Sequence, residues 1–287
     1  MARSLKVVVW DVQHGHAVYV KTENRNIVFD LGTGSHASYA SEFSPLLHLK
    51  NKYGIEYLDA VVITHPHSDH LYDIGNFDTL SPRVLHRPKH LTEEEIRKGN
   101  SESDREYVEQ YLEINQRYSI PIQDSTNPFR EANNGGVKFD FFTPKECSCS
   151  NLNNHSIVTI ISHANSKIII PGDNEGASWN ELLNNEAFIA SIKGTDILLA
   201  SHHGRESGYS EDLFQYISPY LTIVSDGAET DTSATDRYTR KSRGWPVHKR
   251  DGTDISRKCL TTRNDGVITV DFGVNLNGKS YISVNID

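Results

Sequence analysis

Residues 62–71 read Val-Ile-Thr-His-Pro-His-Ser-Asp-His-Leu, so that His65, His67, Asp69 and His70 fall within six residues. Imidazoles and carboxylates are the ligands that hold zinc-class metals. Four such groups on one short loop cannot build an apolar core. Buried there, they stay unsatisfied unless a metal takes them. The chemistry to expect is metal binding and metal-assisted hydrolysis.

Two further apolar runs end in residues of the same kind. Asp173 follows Pro171-Gly172, and His202 and His203 follow Ser201. The carboxyl ends of strands bring remote positions into one cleft in layered α/β proteins. Three such ends in one chain are a far stronger signal than any one of them. Separately, the segment Arg237-Tyr238-Thr239-Arg240-Lys241-Ser242-Arg243-Gly244-Trp245-Pro246-Val247-His248-Lys249-Arg250 holds six Lys/Arg and no acid. Cations interleaved with rings suit a single-stranded nucleic acid or a nucleotide. The other reading is a solvated basic loop that balances an acidic chain. Substrate contacts are expected from Arg237, Arg240, Lys241 and Arg243, and from Arg205 just after the His-His-Gly turn.

The elements that must position these groups show in the hydrophobic pattern. Residues 58–64 are apolar and β-branched, a buried strand that delivers the histidine loop. Residues 7–11, 17–22 and 26–30 precede it as strands, and 44–53 has helical character. Continuous apolar runs indicate sheets covered on both faces. Near 91–120 lies a polar helical insertion. Thr92 serves as N-cap before Glu93-Glu94-Glu95. Tyr107, Tyr111, Ile114 and Tyr118 give its second helix an apolar face. The pair is either a lid beside the site or a solvated excursion. Strands return at 137–142, 157–161, 167–171, 196–201, 221–224, 266–272 and 281–286, with a short helix at 178–183. The halves on either side of about residue 150 fit one domain over 1–287, two stacked sheets with helices outside.

The 287 residues are enough for a large core without disulfide staples. Three cysteines, Cys147, Cys149 and Cys259, are an odd number without zinc-finger spacing and read as free thiols of a reducing cytosol. The apolar run Val7-Val8-Val9-Trp10 is too short for a signal peptide. No stretch approaches the ~18 apolar residues of a membrane span. A cytoplasmic protein without a membrane partner is expected. The formal charge of −9 argues against broad non-specific nucleic-acid binding and leaves room for a local basic groove. Oligomeric state is not legible.

The motif His65-Pro66-His67-Ser68-Asp69-His70 resembles the signature loop of the metallo-β-lactamase superfamily. More narrowly, the chain resembles the hydrolase domain of ComEC-type competence proteins and their stand-alone relatives. Asp11-Val12-Gln13-His14-Gly15-His16-Ala17 stands where those have Asp-Val-Gly-Gln-Gly-Asp-Ala. Asn153-Asn154-His155-Ser156, Pro171-Gly172-Asp173, His202-His203-Gly204-Arg205 and Thr262-Arg263-Asn264-Asp265-Gly266-Val267-Ile268-Thr269-Val270 follow in the family's order. The resemblance implies a four-layered αββα sandwich of the α/β class with two divalent metal ions, zinc or manganese, at one edge. It assigns His65 and His67 to one metal, Asp69 and His70 to the other, and a bridging role to Asp173. His202 or His203 completes the second site; in many relatives one metal also takes a third histidine, for which His155 is placed by order. The chain departs from the family where its Gly-Gln-Gly-Asp turn becomes Gln13-His14-Gly15-His16, with the loss of a glycine and an acid at the rim of the site. His16 would donate to substrate, approach a metal, or sit as a surface histidine in a turn. Arg205 replaces a serine and would meet an anionic group.

Two ions at the ~3.5–4 Å typical of such pairs would share a hydroxide available at neutral pH and neutralise charge on a phosphodiester as it is attacked. Asp69 would orient the water, and His203 or His16, whichever is not a ligand, would protonate the leaving group. Flavodiiron relatives carry an acid where His67 stands, which favours hydrolysis over redox chemistry. A nuclease or phosphodiesterase acting on nucleic acid or nucleotides is the leading expectation. The alternatives are a hydrolase of a lactone, thioester or β-lactam, and a non-catalytic metal-holding module that binds a nucleotide.

Overall fold

The computed structural model describes residues 4–33, 43–228 and 231–287. In β1 (Ser4–Val9) Leu5, Val7 and Val9 enter one apolar core and Val8 enters another, so both faces of the strand are covered. The same split recurs through β2 (Val18–Lys21), β3 (Asn26–Phe29) and β4 (Ala60–Val62), and β5 (Leu85–His86) adds Leu85 to the outer core. It also governs β6 (Lys138–Phe142), β7 (Val158–His163), β8 (Ser166–Ile170), β9 (Ile197–Leu199) and β10 (Leu221–Val224). The remaining strands are β11 (Trp245–Lys249), β12 (Asp254–Arg257), β13 (Cys259–Thr261), β14 (Ile268–Val274) and β15 (Ser280–Ile286).

These strands make two sheets. The first has nine strands in the order β12-β11-β15-β14-β1-β2-β3-β4-β5, the second six in the order β13-β10-β9-β8-β7-β6. Their inner faces meet in a central core that includes Val7, Val20, Phe29 and Val62 from the first and Ile161, Ile170, Leu199 and Ile223 from the second. Helices Pro45–Tyr53, Glu93–Gly99 and Arg105–Arg117 cover the outer face of the first sheet through Leu46, Leu49, Ile96, Val108, Tyr111 and Leu112. Helices Gly176–Leu183, Glu186–Ile192 and Thr235–Lys241 cover the second through Trp179, Leu182, Phe188, Ile192 and Tyr238. Three cores between four layers make the αββα sandwich.

The helical pair at 91–120 is no solvated excursion. Thr92 caps its first helix with a reciprocal Glu95 contact, and the second helix buries Val108, Tyr111, Leu112 and Ile114. The pair is therefore part of the outer layer. No helix among the described residues is long and apolar enough to cross a membrane, and the three cysteines are free thiols.

Strand direction decides where the polar groups gather. β3 and β4 run parallel, as do β8, β9 and β10. Their carboxyl ends carry Asp30, the loop after Thr64, Asp173, His202-His203 and Ser225. The two sheets are tied at this edge by Ile157 N–H donating to Thr64 O at 2.9 Å. Asp173 N–H donating to Ser156 Oγ at 3.0 Å secures the neighbouring loop.

Candidate metal centre

Asp30 is fully buried at the end of β3. Its Oδ1 accepts from Thr64 N–H at 2.7 Å, and its Oδ2 accepts from Thr64 Oγ1 at 2.8 Å. The same Oδ2 faces His16 Nδ1 at 3.0 Å and His70 Nδ1 at 2.9 Å. Burial alone would push this carboxyl up; the adjacent His70 and His16 outweigh it and hold Asp30 well below the usual carboxylate range. Asp30 thus fixes the end of β4 and aims Nε2 of His70 away from itself. A carboxylate behind a ligand imidazole is the usual device for setting its tautomer and direction.

In front of His70 four donors converge. Asp69 Oδ2 stands 3.1 Å from His203 Nε2 and 3.7 Å from His70 Nε2. Asp173 Oδ2 stands 3.3 Å from His70 Nε2 and 3.2 Å from His203 Nε2. A tetrahedral zinc site with bonds of ~2.0–2.1 Å has ligand–ligand edges of about 3.3 Å, so these separations suit one cation with four ligands. His70 Nε2 is buried without a hydrogen-bond partner, the condition a cation would relieve. Burial would lower His70, but Asp173, Asp30 and Asp69 raise it well above the ordinary histidine value. Burial is likewise outweighed at His203, which Asp173 and Asp69 raise to about 10. Asp69 and Asp173 are held low despite burial, Asp69 chiefly by His70, Asp173 by His203 and then His70. Two carboxylates and two imidazoles thus share one buried pocket, each kind favouring the charged form of the other.

His65, His67 and His155 lie outside that four-donor cluster. His65 Nε2 and His67 Nδ1 face each other at 3.0 Å, and the His65 and His70 rings are 4.2 Å apart. Burial first and His70 second hold His65 well below its ordinary value. His155 is fully buried and its Nε2 has no partner. The donor chemistry fits a second cation: three further imidazoles, two of them on the loop that carries Asp69 and His70.

The choice between His202 and His203 follows from backbone geometry. Both adopt left-handed conformations, φ 50° and 53°, which cost non-glycine residues of order 1–3 kcal/mol each and persist where function requires them. The turn throws His203 into the cluster and His202 the other way, its Nδ1 at 2.8 Å from Ser207 Oγ and 3.1 Å from Glu175 Oε1. Gly204 completes the turn at φ 72°, and a Cβ there would stand 2.5 Å from Val224 Cγ1, so no other residue fits.

Two expectations need correction. His16 is not a surface histidine: it is 6% exposed, its Nδ1 faces Asp30 Oδ2 at 3.0 Å and its ring is stacked on His70 at 5.7 Å, so that with Asp30 and His70 it forms a second group of ligand-type residues. The rim position belongs to His14, whose Nε2 stands 3.6 Å from Asp69 Oδ2 and whose ring lies 4.8 Å from that of His203. The basic segment is also differently disposed. Arg237 pairs with Glu206 at 2.6 Å and lies over the Tyr209 ring; Lys241 pairs with Glu211. Arg243 stacks on Tyr220 at 3.5 Å, and Arg240 is exposed. Tyr238 is buried in the outer core, and Trp245 packs against the central core and Tyr220. Tyr238 therefore offers no free face to a stacking base. Arg205 is half-buried beside the His202-His203 turn, where its charge reaches His14 and His202.

Sequence reasoning missed Asp30, His14 and His90. Asp30 was in view as a fourth strand end in a ligand-type residue, with the same signal as the other three. His90, whose Nε2 stands 2.9 Å from His155 Nδ1, has no such sequence signal.

The sequence profile of the metallo-beta-lactamase superfamily matches residues 10–219, which include the histidine loop, Asp173 and His203. The chain belongs to that superfamily. Over 238 residues it is 26% identical to ComE operon protein 3 of Bacillus subtilis (strain 168), covering 76% of this chain and 28% of that protein. Over 224 residues it is 25% identical to Competence protein ComA of Neisseria gonorrhoeae, covering 77% of this chain and 27% of that protein. Over 218 residues it is 23% identical to Recombination protein 2 of Haemophilus influenzae (strain ATCC 51907 / DSM 11121 / KW20 / Rd), covering 76% and 24%. The matched part thus spans about a quarter of each relative's length. The ComEC-type likeness expected from the order of motifs is present, and the superfamily is one of metallo-hydrolases.

Proposed function

We propose that the chain is a binuclear metal-dependent phosphodiesterase acting on a nucleotide or a short nucleic-acid segment, with zinc or manganese as the metal. The observation that carries this reading is the convergence of Asp69, His70, Asp173 and His203, four donors from three chain segments within 4.8 Å of one another. Asp69, His70 and His203 would hold one cation, His65, His67 and His155 the other, with Asp173 between them. When bound, such ions supply Lewis acidity and a water nucleophile at neutral pH.

The chain's own residues do the rest. Asp30 and Thr64 keep His70 in one tautomer and the histidine loop in register. Asp69, facing both His203 and His14, is placed to orient an attacking water. His14 stands on the rim beside Asp69 and His203, within reach of a bound substrate. Arg205 offers a guanidinium to a phosphoryl oxygen. The relatives' names speak of competence and recombination, which supports a nucleic-acid substrate. The paired cations and the buried Tyr238 ring of 237–245 argue against a long stacked track and favour a substrate of nucleotide size. They also favour, as a second reading, a small carboxylic ester or lactone.

The test is turnover of bis-p-nitrophenyl phosphate, nitrocefin and a lactone by zinc- and manganese-supplemented protein. The phosphodiester is expected to be cleaved and the others spared, with His67→Ala and Asp173→Ala inactive yet folded. Turnover of the lactone alone moves the assignment to the second reading. No turnover of any substrate leaves a metal-holding binding module.

A further inference from the structure

Two hydrogen bonds run from the helical arm over the first sheet into the metal centre. Asn100, just past helix Glu93–Gly99, donates Nδ2 to Pro66 O at 2.9 Å, between His65 and His67. His90, in the turn that enters the same helix, faces His155 with Nε2 to Nδ1 at 2.9 Å and the rings 5.0 Å apart. His155 is fully buried, and its other nitrogen, Nε2, has no partner.

The chemistry of imidazole makes these facts interdependent. A ring that presents Nε2 as a lone pair must carry its proton on Nδ1. A buried N–H needs an acceptor, and at His155 Nδ1 the acceptor in place is His90 Nε2. The arm does not need this bond to stay folded: Ile96, Val108, Tyr111, Leu112 and Ile114 hold it on the sheet. His90 itself is only partly buried. An apolar anchor is therefore in place already, and the polar contact serves another purpose.

We propose that His90 is a positioning residue for His155, fixing the tautomer and ring direction that make Nε2 a ligand. The helical arm is then part of the metal centre. The proposal rests on the reading of His155 as a ligand of the site it shares with His65 and His67. Ligand histidines are commonly oriented by such an outer partner, and losing one costs roughly 10–100-fold in metal affinity.

The experiment is a titration of the metal-stripped full chain with Zn²⁺ against a chromophoric chelator, comparing wild type with His155→Ala, His90→Ala, His90→Gln and His90→Lys. Wild type is expected to show two sites. His155→Ala and His90→Ala should weaken the same site, the latter by roughly 10–100-fold, leaving the other intact. Glutamine places an acceptor oxygen close to where Nε2 stood and should restore most of the affinity. Lysine, a donor only, should not. Melting of the metal-free His90→Ala chain should match wild type; if it falls, the glutamine and lysine pair still decides. Wild-type affinity at both sites in His90→Ala overturns the proposal, and so does glutamine binding as weakly as alanine. A wild type that takes up no zinc removes the underlying reading, and the proposal falls with it.

Discussion

At the scale of single residues, the account turns on which side chains point inward. His203→Ala removes a donor that stands 3.1 Å from Asp69 and 3.2 Å from Asp173. It should cost one bound metal and at least ~10²-fold in kcat, in the range of losing a group that stabilises developing charge. His202→Ala loses only contacts to Ser207 and Glu175 and should keep both metals; metal content and kcat measured side by side separate the two. Among the arginines, Arg205→Ala should raise KM for a phosphodiester roughly tenfold, the value of a lost charge-assisted hydrogen bond. Arg237→Gln and Lys241→Gln should leave KM within about twofold, because their charges are already spent on Glu206 and Glu211. A rise in KM for the latter pair equal to that of Arg205→Ala would restore the basic groove expected from sequence. The histidine loop was legible because its residue types admit few other uses. The His202–His203 choice was not, since it depends on two left-handed backbone angles that no residue identity demands.

Among the elements, the short parallel strands ending at the site were readable from apolar runs. The β11–β12 hairpin was not: Trp245-Pro246-Val247-His248-Lys249 reads as a basic stretch, and its strand character comes from pairing with β12 and with β15, remote in sequence. The helical arm was readable as helices, from the Thr92 cap and the Tyr111–Ile114 face, but its link to the centre through His90 and Asn100 is tertiary. β5 carries a testable pH dependence. His86 packs its ring against Phe141 at 4.4 Å and Phe129 at 5.8 Å. Burial first, then Arg87 and Lys89, push it down to about 4 from an ordinary 6.5. Above the ordinary value both folded and unfolded chains hold it neutral and it has no effect. Below that value the unfolded chain takes the proton first, so stability falls until the folded ring also titrates. At 1.36 kcal/mol per pH unit the loss amounts to at most about 3.5 kcal/mol. Urea melts of His86→Phe should therefore lose less stability between about pH 6.5 and pH 4 than wild type, and identical slopes would refute the assignment.

Taken whole, the molecule is a sandwich whose three apolar cores leave one edge free for polar work. That edge collects ligand-type residues from both halves of the chain: Asp30, His65, His67, Asp69 and His70 from the first sheet, His155, Asp173 and His203 from the second. The layering was predictable because strands covered on both faces need helices outside. The exact cross-sheet contacts, such as Ile157 to Thr64, are set by how the two sheets sit on each other. A centre built this way binds metal only in the folded state, so metal should stabilise the fold by mass action, by about 2.7 kcal/mol at a hundredfold excess over Kd. Stripping with a chelator should then lower the melting temperature of wild type, and lower that of Asp173→Ala by less. The most direct test of the central claim is metal content per chain by inductively coupled plasma mass spectrometry after equilibration with zinc or manganese. The account predicts two ions per wild-type chain and no more than one in a folded Asp173→Ala chain. Fewer than one ion in wild type, or equal content in both, would contradict it.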